Sequence, residues 1–400
     1  MVDNRLIEAG RPAPRFLRKH GLGWFAEGDN EDYFAPELLS VTEAELEHFR
    51  AQAASLYELA RRAARHVGER QRWADAGIPD NAVELVEHSL RTETELHLAG
   101  RFDFAGGLDG IPLKLLEFNA DTFSLAPETA TVMPHQLELL PRQYRQSARQ
   151  YNNLLSGLVH SFRRILNHRP NRHPSLLLSG MGHEEDWLNI ELIAMAARQA
   201  GFQDVQMMAL EKVIFSEDDG IFIELGHEEY QQYDFWFKMV PWDFIAFEEP
   251  ELMGLLTKIV KRELAVVLNP AWSMLLQSKA LLPIMQELAP THPALLRASL
   301  NREDMPYGSN YVAKPIFGRT GDNVSVIQNG RPVQANDGDY GEFPMVYQEF
   351  ARSAQDEDGD RYQPSIFCAG SEPCALCLRR QDGWIVDDDA EFVGHVIRDS

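Results

Sequence analysis

Arg101-Phe102-Asp103-Phe104-Ala105, the break Gly106-Gly107-Leu108-Asp109-Gly110, and the run Leu113-Lys114-Leu115-Leu116-Glu117-Phe118-Asn119 form the stretch from which the rest of the chain is best read. Alternating polar and apolar residues on either side of a glycine-rich break predict a β-hairpin. Strand residues two apart share a face, so Arg101 and Asp103 project together, as do Glu117 and Asn119. A register symmetric about Gly110 sets Asp103 opposite Glu117 and Arg101 opposite Asn119. Opposed carboxylates repel, and burying them together calls for a cation between them. A hard, oxygen-seeking ion such as Mg²⁺ suits two carboxylates with an asparagine oxygen as a further ligand. Arg101 beside them suits a bidentate grip on an anion. From spacing alone, a solvated hairpin with surface ion pairs is the plainer reading.

Upstream, Thr42 and Glu45 make a capping box before Leu46, Phe49, Ala53, Leu56, Ala60, Ala63 and Val67, predicting a long amphipathic helix. A second helix is expected over 81–90 and another over 136–166, followed by a polar connector at 167–174. From Ser175 the texture is α/β: a strand running into Ser179-Gly180-Met181-Gly182, a helix through 191–200, and strands at 205–210 and 233–240. A helix is expected over 271–290, strands over 311–314 and 345–349, and a glycine-bearing loop over 317–323. This divides into an N-terminal region (1–170) with helices and the hairpin, an α/β unit (171–270) and a third region (271–400).

The chain has 400 residues, 44% apolar and 25% charged, enough for a large core and more than one subdomain. A net charge of −23 without a basic patch argues against nucleic acid and anionic lipid as partners. A small cation such as an amine would be attracted, although surplus surface carboxylates are more often a solubility feature. The polar start resembles no signal peptide, and no apolar run approaches the ~18 residues of a membrane helix. Cys368, Cys374 and Cys377 are an odd, crowded set, so a soluble protein of a reducing, cytoplasmic compartment is expected. Cys374-x-x-Cys377 reads as strand, where positions three apart face opposite ways and cannot share a metal without a bulge. The same alternation puts Arg379 on the face of Cys377.

Neither G-x-x-x-x-G-K-[ST] nor G-x-G-x-x-G occurs, which disfavours those phosphate cradles. Lys314 followed by the 317–323 loop offers another, with a lysine for phosphate oxygens and backbone N–H groups to close over them. Met345 to Glu349 suits an adenine hinge, or an ordinary core strand. His183-Glu184-Glu185-Asp186-Trp187 lacks the second histidine of a zincin helix; following a strand, it is placed to receive an amine.

In order, RFDF (101–104), LLEFNADT (115–122), FKMVPWDF (237–244), NPAWSMLLQSKALLP (269–283), YVAKPIFGRTGDNV (311–324), VYQEF (346–350) and CLRRQDGWIVDDD (377–389) make the chain resemble the glutathionylspermidine synthase family, in particular its stand-alone acid–amine ligase members. The resemblance runs from about the first helix to the C-terminus. It implies a circularly permuted ATP-grasp fold of the α/β (α+β) class with a pre-ATP-grasp-like α/β unit, and a ligase that joins a carboxylate to an amine with ATP and Mg²⁺ through an acyl phosphate. By motif, Asp103, Glu117 and Asn119 match metal-binding residues, and Arg101 and Arg379 match catalytic arginines. Ser124 matches an acid-substrate serine. Lys279 and Lys314 match the ATP lysines, Thr320 and Gly321 the phosphate loop, and Gln348, Glu349 and Phe350 the adenine hinge. Glu184 and Glu185 match acidic residues near the amine. The chain departs from the family pattern at Cys377-Leu378, at Arg380 and at Asp387-Asp388-Asp389, and no amidase region is expected, so glutathione and spermidine are not implied as its substrates. An ATP-grasp kinase and a non-catalytic nucleotide-binding protein are the alternatives.

Overall fold

The Thr42 capping box forms as read. Thr42 Oγ1 accepts from the Glu45 amide at 3.2 Å, Glu45 Oε2 accepts from the Thr42 amide at 3.0 Å, and helix Glu43–Arg70 follows. This computed structural model describes residues 2–227 and 229–398. The helix lays Phe49, Leu56, Ala60, Ala63 and Val67 into one apolar cluster with Phe102, Phe104, Leu115 and Phe118 of the hairpin. Phe102 stacks on Phe118 at 3.8 Å with planes 10° apart, a contact of about 0.5–1.5 kcal/mol beyond burial alone.

The hairpin, Ala99–Ala105 with Lys114–Asn119, has the symmetric register: Arg101 pairs Asn119 and Asp103 pairs Glu117. Leu116 is left without a partner between Glu117 and Leu115, a bulge of the kind that re-aims a strand next to a site. The hairpin is one edge of an eight-stranded sheet to which both ends of the chain contribute. The order is Leu6–Glu8, Phe34–Thr42, Glu391–Arg398, Glu372–Gln381, Arg361–Ala369, Ala99–Ala105 and Lys114–Asn119, with Ala354–Gln355 added on Arg361–Ala369. One row crosses four strands: Glu117, Asp103, Ser365, Cys377. Since Phe102, Ile366, Leu376 and Leu378 fill the long-helix side while Phe367, Ala375 and Cys377 join a second cluster, the polar hairpin residues emerge on the face away from that helix.

The 171–270 stretch holds a four-stranded parallel sheet in the order Val266–Leu268, Phe235–Lys238, Ser175–Gly180, Asp204–Ala209, and a three-stranded antiparallel sheet, Val213–Ser216, Gly220–Gly226 and Glu229–Tyr233. Ser175–Gly180 is buried throughout, as expected of a strand covered on both faces. A five-stranded antiparallel sheet follows: Ala298–Ser299, Met345–Glu349, Tyr311–Pro315, Ser325–Gln328, Arg331–Ala335.

Five sequence expectations need correction. The 136–166 helix is two helices and a short turn: Met133–Leu139, Arg142–Arg145 and Leu154–His168. Pro141 forces Leu140 out of the helical region to ψ 148°, and Arg149 and Asn152 bridge to Ile397 and Ala375 instead. The 271–290 helix breaks into Ser273–Gln277 and Leu281–Leu288, because the backbone turns extended at Ser278 so that the Lys279 amide can donate to the Ile316 carbonyl. The 233–240 strand divides between two sheets. The helix expected over 191–200 starts earlier, at Glu184. Cys374 falls on a bulge opposite Phe367-Cys368 and joins the apolar cluster that holds Cys377; burial pushes both thiols up to about 12, and all three cysteines are free. No described helix is long and apolar enough to cross a membrane.

Candidate active site

Asp103 is held from both sides. Arg101 donates Nε to Oδ1 at 2.8 Å and Nη2 to Oδ2 at 2.9 Å, a bidentate fork, and its Nη1 reaches the Ser124 carbonyl at 2.8 Å and Ser124 Oγ at 3.2 Å. Asn119 Nδ2 donates to Asp103 Oδ2 at 2.9 Å and to Glu117 Oε1 at 3.2 Å. The two carboxylates therefore meet at one amide.

Glu117 is balanced by lysines from two distant segments. Lys279 Nζ lies 3.1 Å from Glu117 Oε2 and donates to the Gly318 carbonyl at 2.8 Å. Lys314 Nζ donates at 2.7 Å to the carbonyl of Leu116, the residue that the bulge leaves outside the ladder. Burial opposes the charge on Glu117, but Lys279 and then Lys314 outweigh it and hold the carboxyl down at about 2. Burial brings Lys314 down to about 8. Three cations face two carboxylates, so one positive charge is in excess, which suits a polyanion.

Gln277, which no sequence pattern singles out, sets this geometry. Its Oε1 accepts from the Ala120 and Asp121 amides at 2.9 and 3.2 Å, which turns Nε2 to Asn119 Oδ1 at 3.3 Å. Asn119 therefore presents its NH₂ to the carboxylates. Two hard carboxylate oxygens converging on one amide fit Mg²⁺; Asn119 joins them as an oxygen ligand only on rotating its amide.

Thr320 and Gly321, the expected phosphate-loop positions, have positive φ, 48° and 78°. A Cβ on Gly321 would stand 2.7 Å from Ile385 Cγ2, so the loop closes there only with glycine. Arg319 anchors the loop to Asp243 at 2.6 Å. At the expected hinge, Gln348 is buried and donates to the Leu115 carbonyl at 3.0 Å, tying strand Met345–Glu349 to the hairpin. The Glu349 and Phe350 amides already donate to the carbonyls of Arg297 and Asn310. These two amides are therefore not free to meet a ligand. Glu349 and Phe350 line a cavity of about 340 Å³ with Arg297, Asn310 and Arg352.

Arg379 donates to the Ala390 carbonyl at 3.1 and 2.8 Å and to the Asp387 carbonyl at 2.9 Å, with its guanidinium 5.7 Å from the Tyr33 ring centre. Glu185 is raised by burial and then by Asp388, and is drawn down by Arg379 and Arg101, which brings it into the same field. Glu184 is exposed. Sequence reading also missed Tyr33 and Glu128, whose side chains meet at 2.9 Å beside Arg379. Among the described residues no group of three or more His, Cys, Asp or Glu could hold a metal.

A model of the family described as glutathionylspermidine synthase, pre-ATP-grasp, matches residues 5–398. A Haemophilus influenzae protein named "Putative acid--amine ligase" is 29% identical over 321 residues, covering 78% of this chain and 77% of its own length. The bifunctional glutathionylspermidine synthetase/amidase of Escherichia coli is 24% identical over 312 residues, 74% of this chain but 48% of that enzyme, so the chain spans about half of it. A glutathione synthetase-like effector from Globodera pallida shares the fold at TM-score 0.54 and 7% identity, over 91% of this chain and 90% of that one. The chain thus belongs to the glutathionylspermidine synthase pre-ATP-grasp family and, with it, to the carbon–nitrogen ligases.

Proposed function

We propose that the protein is an ATP- and Mg²⁺-dependent acid–amine ligase of circularly permuted ATP-grasp architecture that forms an amide through an acyl phosphate. One observation carries the reading: Arg101, Lys279 and Lys314, far apart in sequence, converge on Asp103, Glu117 and the Leu116 bulge. A carboxylate is a poor electrophile, and its attack on a γ-phosphate brings two anions together. Lys279 and Lys314 neutralise the phosphate oxygens, and Arg101, already hydrogen-bonded to Ser124, orients the attacking carboxylate. Bound at Asp103 and Glu117, Mg²⁺ supplies further charge neutralisation. Arg379 faces the same space, and Glu185 with Asp388 gives the far side the negative charge that a cationic amine seeks. The relatives' names suggest a peptide carboxylate and a polyamine as substrate classes.

The test uses glutathione labelled with ¹⁸O in its carboxylates, with spermidine, ATP and Mg²⁺. Transfer of ¹⁸O to inorganic phosphate is the expected result. A stable phosphoester with no need for amine would make the protein a kinase, and nucleotide binding without turnover would make it a non-catalytic binder.

A further inference from the structure

The ligation scheme leaves one buried carboxyl unused. Glu128 is fully buried, its Oε1 accepts from the Tyr33 hydroxyl at 2.9 Å, and its Oε2 has no hydrogen-bond partner. An ionised carboxylate with an unanswered oxygen in a dry site is costly, whereas a proton removes the cost. The groups facing it come from four segments: Tyr33 before strand Phe34–Thr42, Glu185 at the start of helix Glu184–Ala200, and Arg379 and Cys377 of strand Glu372–Gln381, with Asp388 beyond Glu185. Burial, and then the Glu185 charge, push Glu128 up to about 7, where a group both accepts and releases protons at neutral pH. Tyr33 is only half-buried, and Arg379 lies over its ring, so the phenol joins Glu128 to the space shared by Arg379 and Glu185.

We propose that Glu128 is the proton acceptor for the attacking amine, reached through the Tyr33 hydroxyl. This rests on the acid–amine ligase reading. An ammonium cannot attack a carbonyl until it loses a proton. Its N–H bond breaks as a bond forms to Tyr33 Oη, and the phenol proton passes to Glu128 Oε1, leaving a neutral carboxylic acid. The freed nitrogen lone pair then forms the C–N bond while the C–O bond to phosphate breaks, and the second N–H proton leaves on the phosphate. Glu185 and Asp388 hold the cation beforehand without receiving its proton.

The test compares two nucleophiles with MgATP and glutathione: spermidine, a cation at neutral pH, and hydroxylamine, which is uncharged there. Hydroxylamine traps the acyl phosphate without needing a base. In Glu128→Gln and Tyr33→Phe the spermidine-to-hydroxylamine rate ratio should fall by at least tenfold, within the roughly 10²–10⁴-fold range of general-base catalysis. The wild-type spermidine rate should rise with pH through about 7, and Glu128→Gln should lose that limb. If Glu128→Gln does not fold, Tyr33→Phe, which removes one oxygen, carries the comparison. An unaltered ratio in a folded variant, with both nucleophiles slowed in parallel or neither, overturns the relay and leaves the ligase reading intact. Where glutathione does not turn over, a pool of peptide carboxylates replaces it, and absence of wild-type hydroxamate from every acid overturns the ligase reading and the relay with it.

Discussion

Asn119 donates to two carboxylates and is itself oriented by Gln277, whose carbonyl oxygen answers the amides of Ala120 and Asp121. Gln277→Ala would leave two buried backbone donors unsatisfied, so a loss of about 1–3 kcal/mol is expected in urea unfolding. Asp103→Asn should retain the fold by circular dichroism yet lose on the order of 10²–10³ in turnover, because Arg101 loses its bidentate partner and the site loses a metal oxygen. Asp103, Glu117 and Arg101 were legible in the sequence because strand alternation fixes which residues share a face. Gln277 and Glu128 were not, because their roles depend on contacts 157 and 95 residues away along the chain.

Between elements, the joint that matters most is buried. Lys238, at the end of strand Phe235–Lys238, donates to Asp121 Oδ1 at 2.8 Å, and the Trp242 amide donates to Asp121 Oδ2 at 2.6 Å. This clamps the end of the hairpin to the parallel sheet. Burial raises Asp121 and lowers Lys238, so each charge depends on the other. Lys238→Met should cost about 3–5 kcal/mol, with part recovered in the Lys238→Met/Asp121→Leu double variant, measured by thermal unfolding. The hairpin, the long helix and the α/β texture were readable because period and punctuation agree there. The break at Ser278 was not, since apolar spacing continues through it while the Lys279 amide is drawn to a partner in another segment; the break after Leu139 was marked by Pro141, which the continuing apolar spacing of Leu140, Tyr144 and Ala148 obscured.

Across the whole molecule, a net charge of −23 surrounds the proposed phosphate site, where Lys279, Lys314 and Arg101 leave a local positive excess. Cationic amines should be steered in and nucleotides admitted only through local charge. The KM for a polyamine should therefore rise as salt goes from about 0.01 M to 0.15 M, over which the screening length falls from about 30 Å to 8 Å, whereas that for a neutral nucleophile should not move. The sheet explains how distant segments of so long a chain come together: the hairpin is one edge of a sheet completed by strands from both ends of the chain, with Arg361–Ala369 beside it, and the 271–350 segment supplies Lys279 and Lys314. Titration calorimetry of ATP with and without Mg²⁺ tests that convergence most directly. Wild type should bind with a Mg²⁺-dependent affinity, Lys314→Met and Lys279→Met should each weaken it roughly tenfold or more, the worth of one charge-assisted hydrogen bond, and Glu117→Gln should erase most of the Mg²⁺ dependence. Affinity that is unchanged in all three variants would contradict a terminal phosphoryl site at the hairpin.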